Sequence, residues 1–248
     1  MRKNHLAIKL FSMAGISALL FSCNGDTKET TKTDSEKTAD TTATMQAAPT
    51  PTMEHSLTAP FDVAVMTHAV KDYAAWRPVF NADSTSQKAS GMETLVVATE
   101  MDKPNNVYMA FKISDVAKAK AMVADPKLKE TMGKAGVTSK PEVEYLHVIR
   151  FNSESKEKKW VTIAHKVKDF DAWVKVYDSE GTAKRASEGM VDVVLGRGID
   201  DPNLVYIVFD ITDMAKAKAA LASEEKKKLM ASAGVEGMPK IAFYNTAE

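Results

Sequence analysis

The sequence predicts an α+β protein in which one βαββαβ unit is written twice in tandem. Three observations carry this reading. A set of motifs returns in the same order and spacing in the second half of the 248 residues. Each copy alternates short β-branched runs with helical segments whose apolar residues share a face. Hydrophobic residues at 44% and aromatics at 7% suffice to fill two modest cores behind a polar N-terminal stretch.

The repeat is read directly from the residues. His68-Ala69-Val70-Lys71-Asp72-Tyr73-Ala74-Ala75-Trp76 recurs as His165-Lys166-Val167-Lys168-Asp169-Phe170-Asp171-Ala172-Trp173. Asp102-Lys103-Pro104-Asn105 returns as Asp200-Asp201-Pro202-Asn203, and the alanine-rich run from Asp115 returns from Asp213. Ala135-Gly136-Val137 returns as Ala233-Gly234-Val235, with one extra residue in the second copy, placed near Glu188.

Within each copy the first strand, Asp62 to Val70 or Val161 to Val167, stops at an aspartate suited to cap a helix. Tyr73, Trp76 and Phe80, like Phe170, Trp173 and Tyr177, then fall on one helical face. Pro78, with Lys175 opposite it, is expected to bend the first helix. Gly91 and Gly189 end that helix, and Met92 to Glu100 or Met190 to Arg197 forms the second strand. Asp-x-Pro-Asn reads as a turn, so Val107 to Ile113 and Val205 to Ile211 return as hairpin partners. Their alternate residues Val107, Met109, Phe111 and Ile113 form a wholly apolar face, which the alanine-rich helices cover. Those helices break at Asp125-Pro126 or Ser223 and end at Gly136 or Gly234; Glu142 to Phe151 and Lys240 to Tyr244 complete the copies. Strand order of this kind gives an antiparallel sheet with helices on one side, the ferredoxin-like α+β layout.

The motif His-x-Val-x-Asp-(Tyr/Phe)-x-x-Trp, with the later Asp-x-Pro-Asn and Ala-Gly-Val, resembles the dimeric α/β-barrel superfamily. Its small bacterial members are called antibiotic-biosynthesis-monooxygenase-like or cyclase-like. The resemblance covers both repeats and implies that two tandem ferredoxin-like repeats pair within one chain as an intramolecular dimeric α/β-barrel. The short polar connector Asn152 to Lys159 is consistent with such a pairing.

Arg2, Lys3 and Lys9 precede an apolar stretch from Leu10 to Phe21 that ends at Ser22-Cys23, the layout of a signal peptide too short to span a bilayer comfortably. It resembles a bacterial lipobox, which implies a signal peptide over 1–22 and lipidation of Cys23; the alternative is ordinary cleavage beside an incidental cysteine. As the single cysteine, Cys23 can form no internal disulfide, so packing alone holds the fold. Residues 23–60 read as a disordered, threonine-rich tether. Repeat 1 then covers 61–151, the linker 152–159 and repeat 2 160–246. The expected location is the cell envelope, with the chain lipid-anchored to a bacterial membrane on its periplasmic or cell-surface side.

Basic and acidic residues number 33 each, leaving no net field to gather nucleic acid. No Gly-rich phosphate loop, nucleophile elbow, paired-thiol motif or zinc-helix signature occurs in the two repeats, and no cofactor or metal is expected. His68 and His165 stand near the ends of the first strands between apolar same-face neighbours. Each could act as a general base or orient a ligand; the alternative is a hydrogen-bonded histidine fixing the strand-to-helix corner. Trp76 and Trp173 could line a pocket, although their spacing makes them helix-to-sheet core residues first. Tyr108 and Tyr206, with Ala110 and Val208, lie on the opposite sheet face and line the interior of a barrel, either around a ligand or in plain packing. Lys112 and Asp210 occupy matching positions with opposite charge, as a pair or as two solvated charges.

Two functions are consistent with these residues. One is a non-catalytic lipoprotein that binds a small apolar or aromatic ligand or a protein partner. The other is a cofactor-independent monooxygenase or isomerase acting on an aromatic or polyketide-like molecule, with His68 or His165 as base and Tyr108 or Tyr206 as hydroxyl donor.

Overall fold

Extended β-branched runs open each half, and an aspartate stops each run. A computed structural model describes residues 60–247. The expected leader, Cys23 and the tether up to residue 59 lie outside the described residues. β1 (Phe61–Ala69) leads to α1 (Tyr73–Ala82), α2 (Ser84–Ala89), β2 (Met92–Glu100) and β3 (Lys103–Ile113). α3 (Val116–Val123), α4 (Pro126–Lys134) and β4 (Glu142–Phe151) follow. The same order recurs as β5 (Lys159–Val167), α5 (Phe170–Glu180), α6 (Thr182–Ser187), β6 (Met190–Gly198), β7 (Leu204–Ile211), α7 (Met214–Ala222), α8 (Glu224–Ser232) and β8 (Val235–Thr246). Among the described residues no helix is long and apolar enough to cross a membrane.

Side-chain caps start the helices where the sequence places them. Asp72 accepts from the Ala75 N–H at 2.8 Å and Asp169 from Ala172 at 2.7 Å; Asp115, Asp125, Asp213 and Ser223 do the same for α3, α4, α7 and α8. Each such cap stabilises its helix by about 1 kcal/mol. The expected single first helix is instead two. In the first half it breaks at Asp83; in the second it breaks at Gly181, whose φ of 80° is the left-handed conformation that glycine adopts freely. Gly181 stands between Glu180 and Thr182, where the first half passes straight from Asp83 to Ser84, so the extra residue of the second copy sits here rather than near Glu188. Pro78 lies inside α1.

The hairpin turn also moves in the first half, whereas in the second Pro202 and Asn203 form a turn ahead of β7, as expected. Glu100 pairs with Lys103, so Pro104 and Asn105 belong to β3 and the turn is Met101-Asp102. Asn105 does other work: its Oδ1 accepts from the Tyr73 N–H at 3.2 Å and its Nδ2 donates to Lys71 O at 3.4 Å. Asn203 repeats the second bond to Lys168 O at 3.3 Å. The strand-to-helix corner is therefore fastened by an asparagine from the next hairpin, and not by a hydrogen-bonded His68 or His165.

All strand pairings are antiparallel, and their order closes on itself: β1-β3-β2-β8-β5-β7-β6-β4. Each half contributes four consecutive members. The seams join Leu146–Phe151 of β4 to Val194–Gly198 of β6, and Ala98–Glu100 of β2 to Tyr244–Thr246 of β8. A bulge between Thr94 and Val96, repeated between Asp192 and Val194, reverses which face the later residues of β2 and β6 present.

Period-two alternation then sorts the side chains into three cores. Val107, Met109, Phe111 and Ile113 pack with Trp76 and Ala119 under the first half's helices. Val205, Ile207, Phe209 and Ile211 pack with Trp173 and Ala217 under the second half's. Ala119 and Ala217 are fully buried, the small side chains letting helix backbones approach the sheet. The inward-facing residues of both halves form the third core, including Tyr108, Trp160, Tyr206 and Tyr244. Burying one such large apolar side chain contributes about 1.5–3 kcal/mol.

Candidate functional site: two helix-to-sheet cavities

Strand alternation puts His68 on the outer face of β1 with Met66, under the helices, and His165 on β5 with Ile163 in the same way. Tyr108 and Tyr206 face the opposite way, into the closed sheet. The structure does not bring the histidines and tyrosines together, so the expected pairing of a histidine base with a tyrosine hydroxyl is corrected: the sheet itself separates them. The Tyr206 hydroxyl donates to Tyr108 Oη at 3.2 Å, and Trp160 and Tyr244 pack against Tyr108 at 4.8 and 4.9 Å between ring centroids. These rings satisfy one another. Burial raises both phenols far above their ordinary range, so neither ionises at neutral pH.

The histidines do meet the predicted tryptophans. His68 packs edge-on to Trp76 at 5.6 Å and His165 to Trp173 at 5.5 Å; Trp76 stacks on Phe80 and Trp173 on Tyr177. Each histidine, with its tryptophan, lines a cavity of about 60 Å³ between helices and sheet. The two cavities are built at corresponding positions of the two halves.

Neither histidine has a partner. His68 is 5% exposed and His165 6%, and all four ring nitrogens are buried without a hydrogen bond. Burial pulls both imidazoles down to about 4, so at neutral pH each is uncharged, with one N–H to donate and one lone pair to accept. An unsatisfied buried polar group costs about 1–3 kcal/mol, and here the cost is incurred twice at equivalent places.

What surrounds the histidines differs between the halves, and sequence reading passed over this. In the second half Arg185, 2% exposed, donates from Nε to Asp192 at 3.0 Å and from Nη1 to Tyr177 O at 2.9 Å. The Lys226 Nζ bonds Glu180 and, at 3.0 Å, Glu188, while the Tyr177 hydroxyl donates to Asp192. These charges tie α8 to the end of α5 and to the residue after α6. In the first half the corresponding residues are Gln87, Thr94, Leu128, Asp83, Ser90 and Phe80, and only a Thr94 to Gln87 hydrogen bond at 3.0 Å remains. The signal was present as opposite residue types at repeat-equivalent positions. Lys112 and Asp210 do not pair: Lys112 lies over the Phe61 ring at 5.6 Å, and Asp210, buried rather than solvated, accepts from Ser155 at 2.7 Å. Among the described residues no group of three or more His, Cys, Asp or Glu is placed to hold a metal ion.

No family model matches the chain, and no curated protein matches it in sequence. Solved structures do match. An anthrone oxidase-like protein superposes with a TM-score of 0.52 at 11% identity, covering 76% of this chain and 92% of that one. Proteins given provisionally as monooxygenases match similarly: one from Fusobacterium nucleatum (TM-score 0.51, 13% identity, 76% and 93% covered) and one from Lactobacillus acidophilus (0.50, 17%, 76% and 94%). The shared fold is ferredoxin-like α+β. At these identities the likeness speaks for the fold alone, and the resemblance read from the sequence motifs agrees with it at that level.

Proposed function

We propose that the chain is a cell-envelope lipoprotein, anchored through Cys23, whose two repeats form an intramolecular equivalent of a dimeric α/β-barrel and bind small, largely apolar molecules in the helix-to-sheet cavities. One observation carries the reading: two equivalent cavities each present a neutral imidazole with both nitrogens buried and unpartnered. A ligand hydroxyl or carbonyl would satisfy the nitrogen that the protein leaves bare. The tryptophan and apolar residues beside it would hold the rest of the molecule. At about 60 Å³ each cavity is below the roughly 300 Å³ of an ordinary ligand pocket, so binding requires the helices to part from the sheet. The first half, without the buried ion network, opens more readily.

A second reading is favoured by the neighbours: a cofactor-independent oxygenase, after the monooxygenase and anthrone oxidase-like names of the matched structures. An imidazole held near 4 is a weak base at neutral pH, which weighs toward binding over proton abstraction. The test is native mass spectrometry of protein from its own host, followed by calorimetric titration with 1-naphthol and oxygen uptake with anthrone. The binding reading expects a retained molecule, or naphthol binding that His68→Phe weakens by tenfold or more, with no oxygen uptake. Uptake abolished by His68→Phe or His165→Phe would replace it with the oxygenase reading. Binding indifferent to both substitutions overturns the role given to the histidines.

A further inference from the structure

The two cavities share a histidine but not its chemical company. Met66 and Met109 are direct cross-strand partners in the β1–β3 register, which places their Cβ atoms about 4.5–5.5 Å apart. His68 lies two residues along β1 on the same face, and Met92, Met122 and Met132 line the same cavity from β2, α3 and α4. At the equivalent places the second half has Ile163, Ile207 and Ala220 for Met66, Met109 and Met122. It keeps the histidine and discards three thioethers.

The charges differ in the same sense. Arg185 and Lys226 line the second cavity, and no cation lines the first. Arg77 packs over the Phe80 ring at 5.8 Å, outside that lining. Asp83 lines the first cavity, half-buried and in no ion pair among the described residues, whereas its counterpart Glu180 is engaged by Lys226 and Arg185. The first cavity thus gathers thioethers, one bare imidazole and one uncommitted carboxylate around a space large enough for an ion.

Thioether and imidazole donors together select a soft monovalent ion over hard oxygen-seeking ones. We propose that the first-half cavity binds one Cu(I) ion through a ring nitrogen of His68 and the sulfurs of Met66 and Met109, with Asp83 balancing its charge, while the second-half cavity binds none. Met122 or Met132 completes the coordination. This site does not rest on the small-molecule reading, which concerns both cavities and needs them to widen.

The experiment is an anaerobic Cu(I) titration of the full chain carrying Cys23→Ser, which removes the one competing thiol, against bathocuproine disulfonate. One equivalent of Cu(I) is expected to be withheld from the chelator. His68→Phe and the double variant Met66→Ile/Met109→Ile are expected to release it, and His165→Phe to leave the stoichiometry at one. The double variant carries the second half's own residues, and a circular dichroism melt checks its fold. X-ray absorption of the loaded parent is expected to show sulfur and nitrogen neighbours, a readout independent of any variant. No equivalent withheld, a copper shell without sulfur, retention by a folded double variant, or loss with His165→Phe would each overturn the proposal.

Discussion

Replacing His165 with phenylalanine is expected to make the folded chain more stable, the opposite of the usual outcome at a buried position. The imidazole is 6% exposed, both nitrogens lack partners, and the ring packs edge-on to Trp173, a contact that phenylalanine can keep. Removing an unsatisfied buried polar group returns about 1–3 kcal/mol at pH 7.5, and the adjoining cavity accommodates the larger ring. The gain should grow in acid. The folded imidazole titrates at about 4 and the unfolded one near 6.5, so between these two values only the unfolded chain takes up the proton. Stability from this group is fully present above 6.5, falls as pH falls, and levels off below about 4. Between pH 7.5 and 5.0 the parent loses about 2 kcal/mol from His165 that the variant keeps, at 1.36 kcal/mol per unit. Urea unfolding followed by tryptophan fluorescence at the two pH values, read as the difference between variant and parent, cancels the carboxylates common to both. A variant less stable than the parent at pH 7.5, or a difference that does not change with pH, would refute the picture of a neutral, unpartnered imidazole.

Three further outcomes follow from single contacts. Lys226→Met leaves the largely covered Glu180 and Glu188 with only Arg185 and Lys184 as cations and is expected to cost about 1.5–3 kcal/mol, whereas adding Glu180→Asp and Glu188→Ser, the first half's residues, recovers most of it; chemical denaturation of both variants measures this. Gly189→Ala forces a left-handed φ of 79° and brings a Cβ to 2.5 Å from the backbone oxygen of Asp213, so its thermal melt should show a loss of about 2 kcal/mol or more. Gly91→Ala should cost less, since its Cβ meets the Ser114 side chain, which can turn away. Tyr108→Phe removes one partner of the interior hydroxyl pair while Tyr206 keeps Thr162, so urea unfolding should report a loss of about 1 kcal/mol and no change in ligand or copper binding.

Local signals were legible because they act over a few residues. The aspartate caps, the break at Asp125-Pro126, the apolar face from Val107 to Ile113 and the helix face of Trp76 and Phe80 follow from capping chemistry and periodicity, and the described residues carry them. The two histidines and two tryptophans were legible as candidates because they recur within the repeated motif. What each faces was not legible as a site. Alternation along Val107–Ile113 already set Tyr108 opposite the helix-covered face, but nothing local relates the faces of β1 to those of β3, so the side that His68 takes was settled only by the strand pairing.

Local patterns in the chain thus carry the recurring motifs, the α+β class and the residue types at matching positions of the two halves. Tertiary structure alone decided three matters. It closed the sheet through the β4–β6 and β2–β8 seams, because edge strands pair with whatever edge the rest of the chain brings within reach. It moved the corner-fastening bond from the histidines to Asn105 and Asn203, since a backbone group takes the donor or acceptor that packing leaves nearest. And it left His68 and His165 buried with bare nitrogens in cavities of unlike lining, a consequence of where helices from distant parts of the chain come to rest.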